Sequence, residues 1–126
     1  MTTVAATAPF TRVKIDIAHD QDWYDELPQL LEDDGSPIDL TGAALSLTIR
    51  PVYDHALLIR ELSTSNGGVV IDDHRLGLAT LRLPRTAVTQ IPVGAWDQFL
   101  VLDQPGRAPR YREIWRGPLI VHPARV

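Results

Sequence analysis

The stretch at residues 94–117 constrains the fold more than any other part of the chain. It holds one apolar run at residues 96–102 and another at residues 111–115, separated by the loop sequence DQPGRAP. Aromatic and β-branched runs on either side of a loop containing Gly and Pro are typical of a β-hairpin. We therefore expect a long hairpin in the middle of a sheet, with the earlier strands added around it.

The first strand of this hairpin is apolar on both faces. Because strand side chains alternate, Trp96, Leu100 and Leu102 share one face. The other face carries Phe99 and Val101, which are apolar as well. Such a strand is either central in a sheet covered on both sides or covered by another chain.

The remaining sequence consists of short runs in which apolar and polar residues alternate. In residues 44–50, for example, Leu45, Leu47 and Ile49 alternate with polar residues, which predicts a half-buried strand. No segment keeps a 3.6-residue apolar period, so the pattern predicts an all-β, immunoglobulin-like sandwich of about eight short antiparallel strands. Further strands are expected at residues 12–18, 56–62, 69–71, 76–83 and 118–122, an irregular or edge strand near 23–31, and one helical turn within 85–91.

The segment at residues 91–96 resembles the corner that immunoglobulin-like folds build before a core strand. A helical turn and a Gly precede an aromatic residue, and Trp96 takes the position where Tyr is usual. The indole of Trp96 can donate one hydrogen bond but cannot accept one. The predicted core between the two sheets comprises Leu45, Leu47, Ile49, Leu81, Leu83, Trp96, Leu100 and Leu102.

Length and composition indicate one domain, since 126 residues of which 44% are hydrophobic can bury a core. We assign residues 12–126 to this domain. Residues 1–11 are expected to form a flexible arm unless a partner holds them. They lack the basic and apolar regions of a signal peptide. No run approaches the roughly 18 apolar residues that span a bilayer, so no membrane association is expected.

Charge is distributed unevenly along the chain. Residues 16–39 hold nine acids and no Lys or Arg, whereas residues 107–126 hold five arginines and one acid. Each set can be a solvated face, or an acidic surface of one copy can dock on a basic surface of another. The candidate interface residues are Phe99, Val101, Arg107, Arg110, Arg112, Asp20, Asp22 and Asp25.

Motifs for catalysis, cofactors and nucleic acids are absent from the sequence. The four histidines have no metal-ligand spacing with one another, there is no cysteine, and no G-x-S-x-G elbow or phosphate-binding loop is present. Two short acidic segments lack the closing Glu of a calcium loop. Basic residues are balanced by acids, which disfavours nucleic-acid binding. We therefore expect no enzymatic activity, no metal and no cofactor.

Several stretches together resemble small structural proteins of tailed bacteriophages. They are the turn DDGSPIDLTG, a strand ending at Ile49-Arg50, a Gly-Gly turn, a strand ending at Leu83-Pro84, and a closing hairpin with Gly117 near its end. Their order over residues 30–122 resembles the N-terminal domain of baseplate upper proteins. The chain departs from this pattern at Gln98, where an aromatic residue is expected, and in the segment at residues 19–29.

The resemblance implies a non-catalytic virion component, assembled in the host cytoplasm, whose partners are other virion proteins and copies of itself. A tail or baseplate subunit is the first hypothesis, and a head, neck or capsid-decorating component is the second. A carbohydrate-binding β-sandwich is a third, because sugar sites use exposed aromatic side chains. Its candidate residues are Trp23, Tyr24, Tyr53 and Trp115.

Overall fold

A computed structural model describes residues 12–123 of the chain. In this range there are eight β-strands and one short α-helix. The elements are β1 Ile15–Ala18, β2 Trp23–Glu26, β3 Ala44–Arg50, β4 Arg60–Ser63, β5 Val69–Asp73, β6 Leu78–Leu83, α1 Arg85–Val88, β7 Gly94–Asp103 and β8 Tyr111–His122.

The strands form two sheets that share one hydrophobic core, which is the arrangement of a β-sandwich. The five-stranded sheet has the order β1-β8-β7-β3-β4, and the three-stranded sheet has the order β2-β6-β5. The predicted all-β, two-sheet fold is therefore confirmed. The β7–β8 hairpin lies in the middle of the larger sheet, and β2 lies at the edge of the smaller one, as expected.

One strand differs from the antiparallel prediction. β1 runs parallel to β8, with Ile15 opposite Leu119 and Ile17 opposite Val121. A hairpin turn forces its two strands to be antiparallel, but about a hundred residues separate β1 from β8 and no turn sets their direction. Ile15 and Ile17 are both buried, and their alternation with polar residues would be the same in a parallel and in an antiparallel strand. The sequence pattern therefore does not show the direction of β1.

β8 continues through Gly117 and Pro118, whereas the sequence predicts a separate last strand from residue 118. The Val13 N–H donates to the Arg116 carbonyl at 3.0 Å, and a regular parallel ladder would return a bond from the N–H of residue 118. Pro118 has no N–H, and the side-chain amide of Gln98 donates to the Val13 carbonyl at 2.7 Å instead. This substitute bond lets the proline lie inside a central strand.

The predicted core is confirmed for seven of its eight residues, all of which are buried. The exception is Trp96, which packs against the core but remains partly exposed. Its indole N–H donates to the Pro92 carbonyl at 2.8 Å, which holds the ring at the corner before β7. A bulge opposite Leu100 and Val101 places both Ile114 and Trp115 inside, where neither is exposed.

The prediction of a strand at residues 56–62 was wrong at its start, because β4 begins only at Arg60. The Asp54 side chain accepts the Ala56 N–H at 3.1 Å, and its carbonyl accepts the Leu57 N–H at 3.2 Å. These bonds form turns that compete with strand pairing. Residues 51–59 are therefore a loop at the end of the sandwich where β3 ends and β7 begins.

Candidate protein interface

The outer face of β7 is covered by the protein's own side chains at Phe99. Phe99 is 9% exposed, with the His55 ring edge-on at 5.0 Å and the Arg116 guanidinium 5.2 Å from its ring centre. Val101, on the same face, is half-buried. The apolar outer face that the sequence analysis assigns to a partner is therefore partly closed within the chain.

Two of the predicted interface arginines pair with an acid of the same chain. Arg112 donates to Glu32 at 2.9 Å and to the Gln104 side chain at 2.7 Å. Arg107 lies 3.9 Å from the same Glu32 carboxylate. Glu32 belongs to the acidic residues 16–39, and both arginines belong to the basic residues 107–126. The two oppositely charged segments therefore contact each other within one molecule.

Arg110 and Arg116, the other arginines of this segment that the structure describes, also have acidic partners. Arg110 donates to Asp103 at 2.7 Å and lies over the Tyr111 ring, and the bond to Asp103 raises the pKa of Arg110. Arg116 donates to Glu113 at 2.8 Å, which raises the pKa of Arg116 in the same way. Exposed pairs of this kind contribute little stability, but they reduce the charge available to a partner.

The three acids predicted for the interface lie at the opposite end of the sandwich from Arg107 and Arg110. Asp22 accepts the backbone N–H of Arg85, the first residue of α1, at 2.7 Å. Asp25 accepts the indole N–H of Trp23 at 2.8 Å, and Asp20 lies half-buried in the turn after β1. Asp22 and Asp25 thus take part in local structure.

Sequence reasoning missed an exposed apolar surface at one end of the sandwich. Four large side chains of the 51–59 loop are exposed by 45% or more, with Tyr53 reaching 88%. Val93, 48% exposed, lies at the same end because β7 begins there. We call this set the apolar end. It comprises Val52, Tyr53, Leu57, Leu58 and Val93.

The 51–59 loop is held in place by contacts to the strands beneath it. The His55 ring lies 2.7 Å from the Asp97 carboxylate, and Arg50 donates to the His55 carbonyl at 2.9 Å. At the end of the loop, Arg60 donates to the Gln90 side chain at 2.9 Å, joining β4 to the segment after α1. The charged groups around the loop thus form hydrogen bonds or ion pairs within the chain, while its large apolar side chains are exposed to solvent. The signal in the sequence was the run Ala56-Leu57-Leu58, which strand alternation does not explain.

The opposite end of the sandwich, where β7 ends and β8 begins, consists mainly of polar turns, and we call it the charged end. Asp34 accepts from the Ser36 hydroxyl at 2.6 Å and from the Ser36 N–H, and these bonds lower the pKa of Asp34. The Thr41 side chain and its N–H lower the pKa of Asp39 in the same way. The two ends therefore differ in the number of their exposed apolar side chains, although Asp20 and Asp22 also lie at the apolar end, in the turn after β1.

The aromatic residues proposed for sugar binding do not form a platform. Trp23 and Trp115 are buried in the core, whereas Tyr24 and Tyr53 are exposed on different elements. Tyr24 lines a shallow cavity of about 410 Å³ together with Asp22 and Arg82. Trp23 lines the same cavity but is only 3% exposed, so Tyr24 is the candidate whose ring is accessible there.

Within residues 12–123, no group of three or more histidine or acidic side chains is placed to hold a metal ion. The helix in that range is too short to cross a bilayer. Compared with known proteins, the chain matches no protein-family model and no curated protein sequence.

Proposed function

We propose that this protein is a non-catalytic assembly subunit of a tailed-phage virion, in the tail or baseplate, that docks on other proteins through the apolar end. The observation that carries the proposal is the 51–59 loop, which presents four large apolar side chains from a fixed position. A loop held by His55, Arg50 and Asp97 loses little conformational freedom on binding, which favours recognition.

The fold also supports a structural role. Two sheets around one core give a rigid body. The arginines at the charged end are paired with acids of the same chain, so docking would depend mainly on shape complementarity and on contacts between apolar side chains. The Trp96–Pro92 hydrogen bond has the position of the aromatic corner of immunoglobulin-like domains. We propose that the sandwich is of that type.

The test is to look for the chain in purified particles. Particles produced by the genome that encodes it should contain the protein by quantitative mass spectrometry, at a fixed copy number per particle. Immunogold labelling then locates it, and label on the tail or baseplate is the expected result. Label on the head or neck would favour the decoration hypothesis, and absence from the particle would overturn the proposal.

A carbohydrate-binding role is the second candidate, and the cavity beside Tyr24 favours it. The exposed phenol ring can stack on a sugar, and Asp22 and Arg82 can bond hydroxyl groups. A glycan array with the intact protein and with Tyr24→Ala separates the two functions. Binding that disappears in the variant would support the sugar site.

A further inference from the structure

We propose that a groove on the outer face of the smaller sheet binds a sugar that carries one carboxylate, such as a uronic or sialic acid unit of a glycan. This inference rests on the carbohydrate-binding candidate and names the class of sugar for that site. Three observations carry it: an unpaired cation beside an exposed ring, a groove whose walls are fixed by hydrogen bonds, and acids on both sides of the cation.

Tyr24 on β2 and Arg82 on β6 are neighbours across the smaller sheet. The register of the two strands places them directly opposite each other, so their side chains lie on the same face. Trp23 and Leu83, which form the next pair, are buried, whereas Tyr24 is 62% exposed and Arg82 is exposed as well. The Tyr24 ring therefore offers an apolar surface to the C–H groups of a sugar, with a guanidinium beside it.

The Arg82 guanidinium has no partner among residues 12–123. It makes no side-chain hydrogen bond or ion pair there, whereas the arginines at the charged end pair with acids of the same chain. An arginine fork can bind a carboxylate through two parallel hydrogen bonds. Arg82 is therefore free to bind an anionic group of a ligand.

Arg82 lies between two cavities that together form one groove. The cavity of about 410 Å³ contains Tyr24 and Asp22, and a second cavity of about 280 Å³ contains Glu61 and Asn66. Both cavities are lined by Gly67, Arg82, Leu83 and Pro84. Pockets for small ligands measure about 300–1,000 Å³, so the larger cavity alone has room for a sugar unit.

Hydrogen bonds fix the wall of the groove on the side of the second cavity. The Asn66 side-chain oxygen accepts the N–H groups of Ser63 at 2.9 Å and Gly68 at 2.8 Å. The Asn66 amide donates to the Glu61 carbonyl at 2.8 Å. This wall is formed before a ligand binds, which reduces the conformational entropy lost on binding.

The acids near Arg82 favour a ligand with a single negative charge. Asp22 lines the groove on one side of Arg82, and Glu61 lines it on the other. Asp16 and Asp25 line a further cavity of about 230 Å³ that adjoins the first. These carboxylates would repel a phosphate or an acidic peptide, whereas a monocarboxylated sugar can place its carboxylate on Arg82 and donate hydroxyl hydrogen bonds to the acids.

The experiment is a glycan array in which each oligosaccharide with a uronic or sialic acid stands beside its neutral analogue, with the carboxylate reduced to an alcohol. The pair that binds best is then measured by isothermal titration calorimetry with the full chain. We expect the carboxylated member to bind at least about tenfold more tightly, because hydrogen bonds to charged groups are stronger than those between neutral groups. Equal affinities, or equally strong competition by inorganic phosphate, would overturn the inference.

Variants locate the preference within the groove. Arg82→Gln should weaken binding of the carboxylated sugar at least about tenfold and leave its neutral analogue within about twofold. Tyr24→Ala should weaken both sugars. Arg75→Gln is the control, since it removes the same charge from an exposed arginine in the turn between β5 and β6, and it should change neither affinity. A preference for the carboxylate that persists in Arg82→Gln would contradict the proposal.

The variants should fold normally, because both side chains are exposed, and unchanged melting temperatures check this. The inference and the carbohydrate-binding candidate fail in different ways. If neutral glycans bind as well as acidic ones and Tyr24→Ala abolishes binding, the sugar site stands and the carboxylate preference fails. If no glycan binds, both fail, while the assembly role is decided separately by the presence of the protein in particles.

Discussion

At the scale of single residues, Gln98 shows how one side chain can hold three strands together. It is fully buried on β7, its amide donates to the Val13 carbonyl, and its side-chain oxygen accepts the Trp115 indole N–H at 2.8 Å. A buried polar group is stable only when its hydrogen bonds are made, and both bonds of Gln98 go to groups that need a partner. A Phe or Trp at this position could not both donate to one group and accept from the other.

The first prediction concerns this residue. Gln98→Leu would leave the Val13 carbonyl and the Trp115 indole N–H without partners. Each costs about 1–3 kcal/mol when buried, so the free energy of unfolding should fall by at least about 2 kcal/mol in urea denaturation. Gln21→Leu, at an exposed site, should change it by less than about 0.5 kcal/mol. Equal midpoints for Gln98→Leu and the wild type would show that the buried bonds contribute nothing.

The second prediction concerns pH and the turns at the charged end. Hydrogen bonds from Ser36 and Thr41 lower the pKa values of Asp34 and Asp39 from their ordinary value of 3.8. A carboxylate with a lowered folded pKa stabilises the protein above its unfolded pKa, and this stabilisation is lost as the pH falls through the folded value. Asp34→Asn/Asp39→Asn should therefore be less stable than the wild type at pH 7.

The difference in melting temperature between the wild type and the double variant should shrink as the pH falls below 3.8, because the wild-type carboxyls then become neutral. Glu61→Gln is the control, since that exposed carboxylate makes no side-chain hydrogen bond or ion pair within residues 12–123. Its effect should be small at both pH values. A double-variant deficit that persists unchanged at low pH would mean that the turns depend on geometry and not on charge.

At the scale of elements, β1 is an edge strand that pairs with β8 alone. The Val13 carbonyl occupies the space that a side chain at residue 117 would need. Gly117 is therefore required by this close approach and not by an unusual backbone angle, since its φ is not positive.

The third prediction follows from this close approach. Gly117→Ala should push Val13 away from β8 and break its bond to Gln98, at a cost of about 1–3 kcal/mol as for other overpacked sites. Hydrogen exchange at Ile15 and Ile17, whose N–H groups face β8, should accelerate, while Leu47 in β3 keeps its protection. Uniform acceleration in all strands would instead indicate global destabilisation and would contradict a local role for β1.

At the scale of the whole molecule, residues 27–43 connect β2 in the smaller sheet to β3 in the larger one. Arg112 binds this connection to the β7–β8 hairpin. Glu32 accepts from Arg112, and Gln104 donates to the Asp39 carbonyl at 3.2 Å. The Arg112 side chain is only 17% exposed, whereas that of Arg110 is 50% exposed. Arg112 thus stabilises the fold through a partly buried ion pair, whereas Arg110 forms an ion pair on the surface.

The fourth prediction uses this contrast. Arg112→Gln should lower the free energy of unfolding by about 1–2 kcal/mol, because a partly buried carboxylate loses charged hydrogen bonds. Arg110→Gln should cost less than about 1 kcal/mol, as exposed ion pairs do. Thermal or urea denaturation measures both. Equal costs would show that burial of the Arg112–Glu32 pair does not strengthen it.

This contrast also decides which arginines should be reversed in charge to test whether an acidic surface docks on a basic one. Reversing Arg107, Arg110 and Arg112 together would damage the fold through Glu32 as well as any interface. Reversal of Arg107 and Arg110 alone leaves the Arg112–Glu32 bond in place. Any loss of assembly in that double variant then reports on the surface.

The sequence alone determined the fold class, the central hairpin and most of the core, because these follow from local alternation of apolar residues. Leu45, Leu47 and Ile49 are buried as the period-2 pattern requires. Turn residues likewise marked nearly every strand boundary, and they act through their own backbone. Such features need no knowledge of distant parts of the chain.

Only the tertiary structure decided which distant groups meet. No local pattern encodes the parallel direction of β1. The Gln98–Val13 bond and the Arg112–Glu32 pair join residues that are 85 and 80 positions apart. The sequence shows the apolar run that contains Leu57 and Leu58, but it does not show whether the run is exposed, because such a run has the same sequence in a buried strand and on an exposed loop. The Asp54 turn removed this run from the sheet and left it on the surface.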